Sequence, residues 1–220
     1  MQCIKDTIKN INIVIGCNIE CSYCYARMNN NRFHTIDDFN KPVFFENKLK
    51  MLDNKRHTAY LLTGQSDLSG WNEEWKDKVF SKMKENENTQ YIFLTKRPEN
   101  INLKETPNNG WFGVTVTSSK EKTRIDYLRN NIKAKHYHIT FEPMFDDVGK
   151  LDLNNISWIV IGTETGNRKG KISSKREWVF NIYNQAKEKN IPVFMKEDLL
   201  GILNEDEFVQ EFPKEFGEIK

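Results

Sequence analysis

Short apolar runs alternate along the chain with stretches in which apolar residues recur every three or four positions. The first pattern predicts β-strands and the second predicts amphipathic helices. Strands are expected at Asn12–Gly16, Ala59–Thr63, Tyr91–Thr95, Phe112–Thr117, Tyr137–Phe141, Trp158–Gly162 and Pro192–Lys196. Most are continuous apolar runs with β-branched residues, as expected of strands covered on both faces. Helical spacing links Phe45, Leu49 and Leu52, then Trp75, Val79 and Met83, then Ile125 and Leu128. The clearest helix is Lys175–Lys189, with Ser174 and Glu177 as a capping box and Trp178, Ile182 and Ala186 as its inward stripe. Pro98 and Pro107 leave room for only a short helical turn after Thr95. Residues 204–213 read as a small amphipathic helix whose Phe208 and Phe212 pack back onto the body.

Strand–helix alternation predicts a parallel sheet with right-handed crossovers. Six or seven units give an α/β fold, a partial (β/α)6-7 barrel, with a doubly wound open sheet as the alternative. Residues 1–220 are expected to form one domain, with 198–220 as a C-terminal extension packing on the barrel. In both architectures the active site belongs at the C-terminal ends of the strands. The polar residues expected there are Cys17, Thr63 to Asp67, Thr95 to Arg97, Thr115 to Ser118, Glu142, Thr163 to Thr165, and Lys196.

A chain of 220 residues that is 38% hydrophobic is long enough for a substantial core, which excludes a disordered chain. No apolar stretch approaches the ~20 residues that cross a bilayer. Residues 1–6 lack the features of a signal peptide, so a cytoplasmic protein is expected. The formal net charge of +2 argues neither for nor against nucleic acid.

The reducing cytosol changes the reading of the cysteines, because clustered thiols there signal metal more often than disulfides. Three of the four cysteines lie in Cys17-Asn-Ile-Glu-Cys21-Ser-Tyr23-Cys24, directly after an apolar run. Three readings follow. Three thiolates hold a [4Fe-4S] cluster and leave one iron open to a ligand. Alternatively, Cys3 completes an ordinary electron-transfer or sensing cluster. In the third, zinc takes the cysteines with His34 or Cys3 and stabilises a nucleic-acid-binding module. His34, His57, His136 and His138 show no mutual metal spacing.

A strand, then CxxxCx-aromatic-C, then a (β/α) series resembles the radical S-adenosylmethionine (SAM) superfamily. Phe93 to Pro98 (FLTKRP), Gly113 to Thr117, Thr140 to Met144 (TFEPM), Ile159 to Gly166 (IVIGTETG) and the Cys24-Tyr25-Ala26 run resemble a small family of that type common in phages and mobile elements. The resemblance implies that Cys17, Cys21 and Cys24 ligate three irons while the fourth iron chelates SAM. It implies reductive cleavage to methionine and a 5′-deoxyadenosyl radical that abstracts a substrate hydrogen. It places Tyr23 near the adenine, leaves Cys3 outside the site, and requires a low-potential donor such as flavodoxin or ferredoxin. One departure is clear. Where many members carry Gly-Gly-Glu after the second strand, this chain has Thr63-Gly64-Gln65-Ser66-Asp67. Gly64 would let the backbone approach SAM, and Gln65 or Asp67 would replace the acidic contact.

The remaining strand-end residues have roles on this reading, each beside a plainer one. Glu142 binds the SAM ribose or amino group or handles a proton, or is a salt-bridging rim carboxylate. Thr63, Thr95, Thr115, Thr117, Ser118 and Glu164 are expected to contact SAM. The strand propensity of Thr and the capping of the next helix by Ser118 are the plain alternatives. Lys96 and Lys196 point into the pocket as catalytic or carboxylate-binding groups, or are solvated lysines. Arg168, Lys169 and Lys171 lie in a glycine-bearing loop and would receive phosphate, or are merely solvated. The expected substrate is nucleic acid or a nucleotide, with a peptide second. A short barrel's lateral opening would admit a large substrate.

Overall fold

The computed structural model describes residues 2–54 and 59–217, so His57 lies outside the described residues. Seven parallel strands form one curled half-barrel sheet. They are β1 (Ile8–Asn10), β4 (Ala59–Leu61), β5 (Gln90–Thr95), β6 (Gly110–Thr115), β7 (His136–Phe141), β8 (Ile156–Ile161) and β9 (Val193–Met195), in that spatial order. Two short strands, β2 (Val14–Ile15) and β3 (Val43–Phe44), pair antiparallel outside this sheet. The helices are α1 (Ile4–Thr7), α2 (Tyr25–Phe33), α3 (Glu73–Lys84), α4 (Thr123–Asn131) and α5 (Arg176–Glu188). Among the described residues, no helix is long and apolar enough to cross a membrane.

The continuous apolar runs have a physical cause. Every residue of β6 and β7 is buried, because the sheet is covered on both faces. Alternate residues divide between two cores. Phe93, Phe112, Ile159 and Met195 join Val79 and Met83 of α3, Leu128 of α4, and Ile182 and Ala186 of α5 in the larger one. Their neighbours Ile92, Trp111, Trp158 and Phe194 face the other side and pack with Phe216 and with Ile4 of α1. Phe212 joins that second core, and Phe208 joins the first. The C-terminal residues thus fill the half-barrel, as their aromatic content predicts. Burying a Phe-sized side chain contributes roughly 1.5–3 kcal/mol.

Four local expectations need correction. The first strand of the main sheet is Ile8–Asn10, whereas Asn12–Gly16 was expected. The latter segment instead rises beyond the sheet, where Val14 and Ile15 pair with β3 and Gly16 bridges to Ser66. Its alternating apolar residues are buried by that second pairing, so the signal marked burial but the wrong partner. The capping box of α5 is also absent. Lys175 is the N-cap and makes no side-chain cap bond. The Ser174 hydroxyl lies buried and bonds Thr163 Oγ1 at 3.0 Å and the Met144 carbonyl at 3.4 Å. Ser174 therefore joins β8 to the end of β7. The expected helix around Leu49 is a 3-10 helix at Glu46–Asp53, and the segment after Thr95 holds only the 3-10 turn Pro98–Asn100. The expected helix in 204–213 is a single 3-10 turn at Glu205–Glu207.

The open edges of the half-barrel are joined by the two ends of the chain. Gln2 N–H donates to Gln210 Oε1 at 2.7 Å, and Gln210 Nε2 returns a bond to the Gln2 carbonyl at 2.8 Å. Gln210 also reaches the Met195 carbonyl at the end of β9. Cys3 sits at this seam and donates to Glu197 Oε1 at 3.0 Å.

Candidate functional site

The cysteine loop sits above the C-terminal ends of β1 and β4. Gly16 turns it there with φ +114°, and a Cβ at Gly16 would meet Pro42 Cα at 2.8 Å. Only glycine meets both demands. Cys17 N–H donates to the Phe39 carbonyl, Glu20 adopts φ 59°, and Cys24 N–H closes a turn onto the Cys21 carbonyl. Cys24 is then the N-cap of α2, its sulfur accepting from Arg27 N–H at 3.4 Å. The Arg27 guanidinium bonds the Cys17 carbonyl at 2.7 Å and Asn40 at 2.8 Å, and lies 5.0 Å from the Phe39 ring centre. Arg97 adds long contacts to Asn18. Two arginines thus pin a short irregular loop whose own backbone bonds are few.

All four cysteines are free thiols, and each is half-buried. Desolvation pushes the Cys17 thiol up to about 11, reinforced by the charges of Asp67, Cys21 and Cys24. As thiolates, Cys21 and Cys24 each add to the cost of ionising Cys17. A positive metal centre removes that cost, because thiolates rather than thiols are the ligands. Arg27 Nε is a buried donor without a partner beside this loop. Thiols are the donor chemistry that an iron–sulfur cluster takes, but these three are not gathered round one point. Among the described residues, no group of three or more His, Cys, Asp or Glu is gathered closely enough to hold a metal ion. Cys3 stands apart at the seam, where its bond to Glu197 holds its thiol above the usual range.

The strand-end residues divide into framework and open groups. Thr63 Oγ1 accepts from Leu94 N–H at 2.7 Å. Asp67 Oδ1 accepts from Thr95 Oγ1 at 2.6 Å and from Ser69, while Oδ2 accepts from Lys96 N–H at 2.8 Å. Thr117 bonds Glu121 through both N–H and hydroxyl at 2.7 Å. Thr63, Asp67, Thr95 and Thr117 thus hold the rim in shape. Thr115 is buried, and its carbonyl accepts from Arg124. Ser118 precedes the 3-10 turn Ser119–Glu121 without capping it through its side chain. Gly64 has a packing reason of its own, since a Cβ there would lie 3.0 Å from Asn12 Oδ1. That oxygen is buried and unpartnered. Gln65 is half-buried.

On the far side of the mouth, Lys196 pairs with Glu142 and lies 3.3 Å from Asp198. Desolvation alone would lower the Lys196 ammonium, but Glu142 and Asp198 outweigh it and hold the lysine charged. Desolvation raises the Asp198 carboxyl against the pull of Lys196. Gly162 makes room here, since a Cβ would lie 3.1 Å from Glu142 Cγ. Glu142–Pro143 is a cis peptide.

Tyrosines span the gap between the two sides. Tyr23 packs edge-on to Phe145 at 5.5 Å, with Lys96 Nζ 5.8 Å from its ring centre. Desolvation, then the charge of Cys21 and that of Glu121, holds its phenol well above the usual range. The Tyr25 hydroxyl donates to the Gly64 carbonyl at 2.7 Å while its ring stays half exposed. Desolvation of that hydroxyl, then Cys24 and Glu142, raises its pKa, and Lys196 opposes them. Tyr25 therefore stands between the cysteine loop and the Lys196 cluster.

In the loop after β8, Arg168, expected to receive phosphate or to be solvated, is instead paired with Glu164. Glu164 is buried, and Arg168 turns back on it with bonds of 2.5 and 2.8 Å. The Arg168 side chain and the Ile172 N–H hold the Glu164 carboxyl below its usual range. Lys169 and Lys171 remain exposed. The structure thus brings Cys17, Cys21, Cys24, Tyr23, Gly64, Gln65, Lys96, Glu142 and Lys196 to one mouth and turns Glu164 and Arg168 toward each other.

Tyr25, Arg27 and Asp198 belong to this mouth and were not singled out from the sequence. Tyr25 and Arg27 directly follow the last cysteine, so their placement at the start of α2 was the available signal. Asp198 lies in the 3-10 turn Glu197–Leu199 that Lys196 begins, so no strand periodicity marked it.

No curated protein and no solved structure matches the chain. A family description, Protein of unknown function (DUF5131), matches residues 2–218. That match spans nearly the whole chain, and the chain belongs to this family.

Proposed function

We propose that this chain is a radical SAM enzyme, with Cys17, Cys21 and Cys24 holding a [4Fe-4S] cluster and SAM in the mouth beside it. The observation that supports the reading is the presentation of three free, half-buried thiols on one short loop at the C-terminal end of a parallel half-barrel. When bound, such a cluster supplies one electron and an open iron for reductive cleavage of SAM to methionine and a 5′-deoxyadenosyl radical. The chain's own residues do the rest. Arg27 and Arg97 fix the ligand loop through Cys17, Asn40 and Asn18. Lys96 and the charged Lys196 offer cations to a carboxylate, and Glu142 offers an anion to an ammonium or hydroxyl. Tyr23 and Tyr25 present aromatic faces to a purine and narrow the access of water. The substrate reading is nucleic acid or a nucleotide first and a peptide second, and the electron source is a low-potential carrier protein. The cytoplasm is the expected compartment.

The test is anaerobic reconstitution with iron and sulfide, followed by dithionite and SAM. The expected result is a brown protein that forms 5′-deoxyadenosine, with both properties lost in Cys21→Ala. A colourless zinc protein, or a cluster that leaves SAM intact, contradicts the proposal.

A further inference from the structure

Arg27 stands half-buried beside the cysteine loop with its charge unanswered. Its guanidinium carbon lies 5.0 Å from the centre of the Phe39 ring. Phe39 belongs to a small apolar cluster with Ile15, Ala26 and Ile36, against which Cys17 and Cys24 pack. Arg27 Nη2 donates to the Cys17 carbonyl at 2.7 Å and to Asn40 Oδ1 at 2.8 Å, and both acceptors are neutral. Nε is buried and donates to nothing. Among the described residues, no carboxylate forms an ion pair with Arg27. Arg124, Arg129, Arg168 and Arg176, by contrast, each meet one.

A charge withdrawn from water is costly unless an opposite charge and hydrogen bonds answer it. The loop that Arg27 serves carries groups able to do so. Cys17 and Cys24 are neutral as thiols and anionic as metal-bound thiolates. Arg27 touches both, through its side chain on the Cys17 carbonyl and its main-chain N–H on Cys24 Sγ at 3.4 Å. The apolar surroundings matter, because a cation there is screened less by water and salt than one on the surface. Net charge and hydrogen bonding around the sulfurs are what set the reduction potential of an iron–sulfur cluster. One-electron reduction adds a negative charge to the cluster, so a fixed cation beside the thiolates favours the reduced state.

We infer that Arg27 is the counter-charge of the thiolate-bound cluster and sets its reduction potential. The inference rests on the radical SAM reading for the presence of the cluster, and its test separates the two. Wild type, Arg27→Gln, Arg27→Lys and Arg97→Gln are reconstituted with iron and sulfide. Redox titration followed by electron paramagnetic resonance gives the potential of each, and an iron assay gives the loading. Neither readout requires turnover. Arg97→Gln is the control for loosening the loop, since Arg97 holds Asn18 through long contacts at an exposed position.

The expected result is a more negative potential in Arg27→Gln, with the ratio of reduced to oxidised cluster at a fixed potential falling roughly tenfold. Arg27→Lys keeps the charge and loses the planar fork, so its potential stays nearer wild type. Arg97→Gln shifts less than Arg27→Gln. A wild-type potential in Arg27→Gln overturns the inference. So does an equal shift in Arg27→Lys or in Arg97→Gln, which would assign the effect to loop geometry. If Arg27→Gln takes up no iron, Arg27→Lys decides. Iron and potential near wild type sustain the inference, and loss of iron in both variants overturns it in favour of a role in holding the loop. A wild type without a cluster contradicts the inference and the radical SAM reading together. A wild-type cluster that leaves SAM intact contradicts the enzyme reading alone, and the four potentials still decide the role of Arg27.

Discussion

Single side chains at the mouth fall into two groups that differ in what their loss would do. Asp67 is buried and serves four donors from Ser69, Thr95 and Lys96, so it is a brace. Replacing it by Ala leaves buried donors unpaired at ~1–3 kcal/mol each. We predict a loss of about 3 kcal/mol for Asp67→Ala, measured by urea denaturation. His138 gives a second prediction. It is fully buried, its Nε2 bonds the Phe93 carbonyl at 3.0 Å, and Gly113 leaves space for its ring, which a Cβ would meet at 2.4 Å. Desolvation pushes its pKa down to about 4, against backbone bonds that raise it. A depressed pKa means that the fold favours the neutral ring. Stability is therefore complete above the unfolded pKa near 6.5 and is lost as pH falls toward 4. The expected loss over that window is about 3 kcal/mol, at 1.36 kcal/mol per pKa unit. Denaturation at pH 7, 6 and 5 should show it, with a flatter profile in His138→Phe. At this scale the sequence was only partly legible. Thr63, Thr95 and Thr117 were found at the rim, but whether a hydroxyl faces a ligand or braces a neighbour depends on chains far away. Thr63 answers to Leu94, and Thr95 to Asp67.

Among the elements, the strands β5 to β8 and the helices α3 to α5 were legible because each buries a continuous run or a clear stripe. β1 was not. Only Ile8 of its three residues is buried, so an edge strand left little periodic signal. The stronger run after it is the segment that carries the cysteines upward. The capping motif before α5 misled for a related reason, since the same Ser suits a helix end and a buried bridge to Thr163. Gly16 turns the cysteine loop. Gly16→Ala combines positive φ with a 2.8 Å contact to the Pro42 backbone, and should cost ~1–3 kcal/mol. The expected outcome is lower iron per chain after reconstitution together with a reduced melting temperature, read by iron assay and circular dichroism. Normal iron content would remove Gly16 from the account.

For the whole molecule, the half-barrel relies on the two ends of its chain. Gln2 and Gln210 close the seam, and Phe212 and Phe216 fill the inner core over Trp111, Trp158 and Phe194. Removing residues 208–220 should expose that aromatic floor. We predict dye binding by hydrophobic surface and loss of a cooperative thermal transition, whereas a native-like melt would show that the extension is dispensable. The general architecture was readable from strand–helix alternation, but the closure was not, because it joins residues about two hundred positions apart. The same closure places Cys3 on Glu197, away from the motif cysteines. The most direct test of the account is therefore 5′-deoxyadenosine formation by reconstituted Cys3→Ala beside Cys21→Ala. The account predicts that Cys3→Ala keeps its cluster and cleaves SAM at nearly the wild-type rate while Cys21→Ala does neither. Loss of the cluster in Cys3→Ala, or SAM left intact by the wild type, would contradict it.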